Sequence, residues 1–162
     1  LVEDVRLDLV TAGVGLAVIQ VAGVVGRLGW GAYADRFASP QKVLIITQVL
    51  SIIAALVTTL LVPGMPLLVV FVILFLFGVS AVGWNGVFMA ETARLAPSDR
   101  IGSATGGVLV PVFIGVIIGP MLFTGIHQLL GLYTLSFGVI ALITAIGIVP
   151  MLMIGRKAEN KS

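Results

Sequence analysis

The chain has 162 residues, of which 59% are apolar and 10% charged, with 20 glycines besides and no Cys. An ordinary soluble domain reaches about 45–50% apolar with glycine included and about 25% charged, and a chain this short leaves too much surface exposed to hide the excess from water. A soluble globular enzyme and a disordered chain are therefore both excluded, as are disulfides, thiolate metal sites and a thiol nucleophile.

One His and seven acids leave little for metal binding or acid–base chemistry. The isoelectric point near 9.4 raises nucleic acid as a partner, but the placement of the charges points to a membrane instead. The charges fall in clusters. Glu3, Asp4, Arg6 and Asp8 open the chain, Arg27 stands alone, and Asp35, Arg36 and Lys42 form a second group. Glu91, Arg94, Asp99 and Arg100 form a third, and Arg156, Lys157, Glu159 and Lys161 end it. From Lys42 to Glu91, and from Arg100 to Arg156, no side chain carries a formal charge; only His127 interrupts the second stretch.

A bilayer-spanning helix needs about 20 apolar residues. Five stretches qualify and are read as helices over 9–34, 43–62, 67–90, 102–126 and 132–154. None shows the single polar face of a soluble amphipathic helix. The first break is Ser39-Pro40, an N-cap followed by proline at the first helical position. The second is Pro63-Gly64-Met65-Pro66, the third carries Pro97-Ser98-Asp99, and the fourth rests on His127, Gln128 and Gly131. The fold class is all-α integral membrane, a bundle of five transmembrane helices.

Orientation follows from Lys and Arg in short loops. Loops 35–42 and 91–100 and the tail after Gly155 hold Arg36, Lys42, Arg94, Arg100, Arg156, Lys157 and Lys161, against Arg6 alone on the other side. The N-terminus is thus expected outside and the C-terminus in the cytoplasm. The chain opens at Leu1 with an acidic segment, without an initiator Met or a basic n-region. It reads as a piece of a longer protein.

Within the spans, the first helix carries Gly13, Gly15, Gly23, Gly26, Gly29 and Gly31, and the fourth carries Gly106, Gly107, Pro111, Gly115, Gly119 and Pro120. Glycine lets transmembrane backbones approach closely, so these two helices are expected to be central, with Gly115 and Gly119 a packing pair and Pro120 a kink. Gln20, near the middle of the first helix, must point at another helix or a cavity; interhelical glue is the competing reading. Trp84 and Asn85 lie in the inner part of the third helix, Trp84 as a belt or a cavity residue and Asn85 costly against lipid. Phe113 and Thr105 are further candidates on the fourth helix. Thr47 and Gln48 read as structural. Arg27 lies about 10 Å from the predicted helix end and can snorkel to the interface. His127 reads as solvated or capping at the outer surface. Asp35, at a helix C-terminus that disfavours an anion, and Glu91, near Arg94 and Arg100, suggest a charged network on the cytoplasmic face.

Gly31-Ala32-Tyr33-Ala34-Asp35-Arg36 resembles the Gly-x-x-x-Asp-Arg loop motif of the major facilitator superfamily. Ala38 stands at its second Gly and Ser39-Pro40 where basic residues belong, with Lys42 two positions late; a degraded copy is usual in the second half of these transporters. Glu91 to Gly102, with Arg100 before the next helix, is similar to the family's loop between its tenth and eleventh helices. Gly115-x-x-x-Gly119-Pro120 is similar to its Gly-Pro motif. Met121, Leu122, Phe123 and Thr124 replace the glycines that would follow, so no antiporter reading follows.

The resemblance covers nearly the whole chain. It implies that 1–162 is part of the C-terminal six-helix half, helices eight to twelve, of a twelve-helix transporter that moves a small solute by alternating access in a bacterial inner membrane. The first half gives the same topology but fits these motifs less well. The implied substrate cavity is lined by Gln20, Trp84, Asn85 and Phe113. The implied cytoplasmic gate comprises Gly31, Asp35, Arg36, Glu91 and Arg100, with Arg27 a further member. The expected partners are a small-molecule substrate, the lipid bilayer and the missing N-terminal half; no cofactor, metal or nucleic acid is expected. The alternative is a five-helix membrane subunit or scaffold acting through partner proteins. A membrane-embedded enzyme would need acids, His or Cys inside a helix, where only Arg27 is charged.

Overall fold

The computed structural model describes residues 1–2, 5–37, 39–131 and 136–147. Glu3, Asp4, Ala38, the ends of the predicted fifth helix and the basic tail lie outside the described residues. Among the described residues the chain is all-helical: α1 (Leu9–Phe37), α2 (Pro40–Thr58), α3 (Leu67–Ala81), α4 (Trp84–Leu95), α5 (Ile101–Leu130) and a shorter α6 (Ser136–Gly147).

Local chemistry explains the helix ends. Asp8 caps α1, its carboxylate accepting the Thr11 amide at 3.0 Å. Hydrogen bonds from the Thr11 side chain and then its backbone hold that carboxyl below its ordinary value of 3.8. Ser39 caps α2, its hydroxyl oxygen accepting from the Lys42 amide, and Pro40 takes the first turn, where its missing N–H costs nothing. Gly64 (φ 84°) turns the chain between α2 and α3, and Gly131 (φ 74°) ends α5 in the left-handed region that favours glycine.

Three boundaries differ from the sequence expectation. Helix α1 runs on to Phe37, so Asp35 and Arg36 sit in its last turn rather than in a loop. Helix α5 runs on to Leu130 and takes in His127 and Gln128; the real stop is Gly131. The predicted third helix is interrupted at Val82–Gly83. There the Ser80 hydroxyl donates back to the Leu76 and Phe77 carbonyls, a local competition that bends helices. Gly83 is pressed against Gly26 of α1 at the same level.

Helix α1 packs along α3 and reaches α4, and α2 lies against both α3 and α4. Val5, Leu61, Val70 and Leu74 form a buried cluster at the end away from the charged loops. Ala34, Val43, Leu44 and Val87 form another near those loops, covered by Trp30, Trp84 and Phe88. The α1–α3 contact is a backbone-to-backbone crossing. A Cβ at Gly26 would stand 2.5 Å from the Val79 carbonyl oxygen, and one at Gly78 would stand 2.5 Å from that of Ile19.

Among the described residues, four segments are long and apolar enough to cross a bilayer: Leu9–Phe37, Pro40–Thr58, Leu67–Leu95 (α3 with α4) and Ile101–Leu129. Most of their large apolar side chains face outward, as a lipid solvent allows.

Candidate functional site

Helix α1 divides its exposed surface in two. Val10, Val14, Val21, Val25 and Leu28 make a large aliphatic side. Gly13, Ala17, Gln20, Val24, Arg27, Gly31 and Asp35 follow one another at steps of three or four residues, which places them on one stripe along the helix. All are exposed except the half-buried Gly31. This small and polar stripe holds the amide of Gln20 and the guanidinium of Arg27, both deep in a membrane-length helix. Among the described residues neither ion pair involves Arg27. With α1 extended to Phe37, Arg27 lies ten residues from the helix end, about 15 Å, deeper than the sequence suggested. Gly86 lets α4 come close here, since a Cβ at that position would stand 3.2 Å from the Arg27 carbonyl oxygen.

The interruption between α3 and α4 is the second polar locus. A helix end exposes carbonyls that lipid cannot satisfy. Here the chain supplies donors to them. The Val82 amide bonds to Gly78 O, and the Trp30 indole N–H donates to Val79 O at 3.0 Å. The Trp84 indole N–H donates to Ala81 O at 3.1 Å, and the Asn85 amide to Val82 O at 3.5 Å. Trp84 and Asn85 are thus held by the break itself. Trp30 escaped the sequence reading, which had no signal for a break in so apolar a run.

Among the described residues, the charged groups at the loop end form two local pairs. Arg94 grips Glu91 with two hydrogen bonds, at 2.7 and 2.8 Å, one turn apart on α4. The Glu91 carboxylate is buried, and Arg94 is exposed. Arg100 lies 3.4 Å from Asp99, both in solvent. Asp35 and Arg36 are exposed, and the Arg36 guanidinium lies over the Phe37 ring, 5.8 Å from its centroid. The described residues do not join Asp35 or Arg36 to either pair. Phe113, Gly115, Gly119 and Pro120 lie on a stretch of α5, 113–122, that is exposed throughout, and no described residue stands within 4 Å of a Cβ at Gly115 or Gly119.

Of the four expected cavity residues, Trp84 lines a cavity formed by the described residues. That cavity has a volume of about 460 Å³ and lies between α2, the end of α3 with α4, and α6. Its polar lining is Thr47, Gln48, Ser51 and Thr144. Gln48 also ties α2 to α6, donating from Nε2 to the Thr144 carbonyl at 3.0 Å, which gives substance to its structural reading. Ser51 and Thr144 were not singled out by sequence; the spacing of Thr47 and Ser51, one helical turn apart, was the available signal. Among the described residues no cluster of His, Asp and Glu fit for a metal ion occurs.

Membrane-length apolar helices, a polar stripe along one of them and an interrupted span define an integral membrane helix bundle. The family model of the Major Facilitator Superfamily matches residues 1–162, and the chain belongs to that family. It is a major facilitator transporter, of a family that sits in the lipid bilayer and carries small-molecule substrates rather than catalysing reactions. No curated protein and no solved structure matches it.

Proposed function

We propose that the chain is the part of a twelve-helix transporter that comprises helices eight to twelve, and that it moves a small solute by alternating access together with an N-terminal half. The observation that carries this reading is the stripe on α1. Gln20 and Arg27 face outward at membrane depth, where lipid offers no hydrogen-bond partner, so the stripe must meet protein or a water-filled path. The open glycine face of α5 has the same requirement. The degenerate Gly31-x-x-x-Asp35-Arg36 motif supports the C-terminal position. The Lys and Arg bias of the loops supports a cytoplasmic charged end with the N-terminus outside, as in a bacterial inner membrane.

In this reading Gln20, Asn85 and Phe113 line the passage with Trp84 beside it. Asp35 and Arg36, with Glu91 and Arg100, belong to a gate that closes on the partner half, with Gly31 and Arg27 at its edge.

Two experiments on the full transporter test the reading. In a cysteine-free background, Gln20→Cys should react with a water-soluble maleimide and Val21→Cys, one residue on and facing the aliphatic side, should not. Equal reactivity at the two positions would remove the passage from this stripe. Asp35→Asn should reduce transport at unchanged expression. Normal transport by that variant would end the gate role.

A further inference from the structure

The cavity between α2, α4 and α6 is separate from the α1 stripe, and its lining restricts what it can hold. Its hydroxyl and indole donors are spent, and so is one of the two Gln48 amide N–H groups. The Thr47 hydroxyl donates to Leu44 O, that of Ser51 to Thr47 O and that of Thr144 to Ile140 O. The Trp84 indole and the Gln48 amide donate to Ala81 O and Thr144 O. What remains toward a ligand is mainly lone pairs, on three hydroxyl oxygens and the Gln48 Oε1, each able to accept, beside one neutral Gln48 N–H. The rest of the wall is apolar and aromatic, with the Trp84 and Phe88 rings edge-to-face at 5.4 Å.

Three ligand classes are excluded. An anion would find one neutral amide N–H and no positive charge among the described lining residues. A fixed cation would lie in an apolar wall without a counter-charge, since no acid is among the described lining residues. A wholly apolar guest would leave the oxygens without a donor. The size is also informative: about 460 Å³ is about fifteen times the ~30 Å³ that a water occupies in the liquid, and falls within the range of small-molecule sites.

We propose that this cavity binds a small neutral amphipath, an apolar body carrying a hydroxyl donor, as in an alkylphenol. Its hydroxyl donates to the wall of Thr47, Ser51 and Thr144, and its body lies against Trp84 and Phe88. The occupant rests on the side chain that caps Ala81 O, so it bears directly on the interruption between α3 and α4. The site does not depend on which half of a transporter this chain forms.

The test is photolabelling of the full protein in lipid nanodiscs with a diazirine-bearing alkylphenol, read by mass spectrometry. Labels are expected on segments 44–51, 81–88 and 140–144, competed by 4-butylphenol far better than by butylbenzene, which has the same body and no donor. Thr144→Val keeps the shape and removes one acceptor. It should weaken 4-butylphenol about fivefold, the equivalent of one hydrogen bond near 1 kcal/mol, and leave butylbenzene unchanged. Equal competition by the two compounds on the unmutated protein would overturn the proposal, with no variant needed. So would labels spread along the exposed sides of α1 and α5, the pattern of lipid-dissolved probe, or a cavity that holds only water and takes no label.

Discussion

Helices α1 and α5 carry the same signature of repeated glycine and meet opposite fates. On α1, Gly15, Gly23 and Gly26 each have a neighbour inside the space a Cβ would need, and at Gly26 that neighbour is backbone. On α5, no described residue lies within 4 Å of that space at Gly106, Gly107, Gly115, Gly119 or Gly125. The difference is one of partner, not of helix. Glycine in a lipid-soluble helix marks where another backbone can come close, and it does not say which one. α1 finds α3 within this chain, and α5 leaves its corresponding surface open among the described residues.

The largest effect should come from filling the closed crossing. Gly78→Val puts a side chain 2.5 Å from the Ile19 carbonyl and 2.8 Å from the Ala22 Cβ. Backbone cannot yield cheaply, so a loss of about 1–3 kcal/mol or more is expected, seen as a lower unfolding midpoint in detergent. Gly115→Val is the control. It should lower that midpoint less, while transport by the full protein falls. Equal midpoints for the two variants would break the contrast between the helices.

A smaller effect tests the same crossing without overfilling it. Trp30→Phe removes the indole donor to Val79 O and should cost about 1 kcal/mol in the same unfolding measurement. No change would mean that glycine packing alone holds α1 on α3.

The smallest effect lies at the α1 N-terminus, away from the crossing. Asp8 has its folded-state value lowered by its bonds to Thr11. Its stabilisation is therefore present above the ordinary carboxylate value of 3.8 and is lost as pH falls below it. Hydrogen exchange at Thr11 and Ala12, corrected for intrinsic rate, should show protection lost on that descent and Asp8→Asn should remove the pH dependence. Protection that stays constant through that range would dissociate the cap from the helix end.

Much of this architecture was legible in the sequence because hydropathy and charge clustering report solvent, and the solvent here is lipid. The spans over 9–34, 43–62 and 67–90 fall inside or close to observed helices, and the Ser39-Pro40 start of α2 is where cap chemistry puts it. Helix ends were missed where polar residues sit inside a helix: Asp35 and Arg36 on α1, His127 and Gln128 on α5. The Val82–Gly83 interruption was illegible because its cause is an approach from α1 combined with a back-bonded Ser80. Trp84 and Asn85 stood out as polar groups in lipid, but the carbonyls they cap exist only once the helix is broken. The Glu91–Arg94 pair was readable from adjacency. The cavity was not, since 44–51, 81–88 and 140–144 lie far apart in the chain.

Both indole N–H groups of this segment end on carbonyls of one turn, Val79 and Ala81, and the segment has two tryptophans. Its ultraviolet emission is therefore a report from a single place in the bundle. Any motion that straightens or sharpens α3 against α4 must disturb both chromophores together, shifting wavelength and anisotropy without an added label. The helix break carries its own optical gauge.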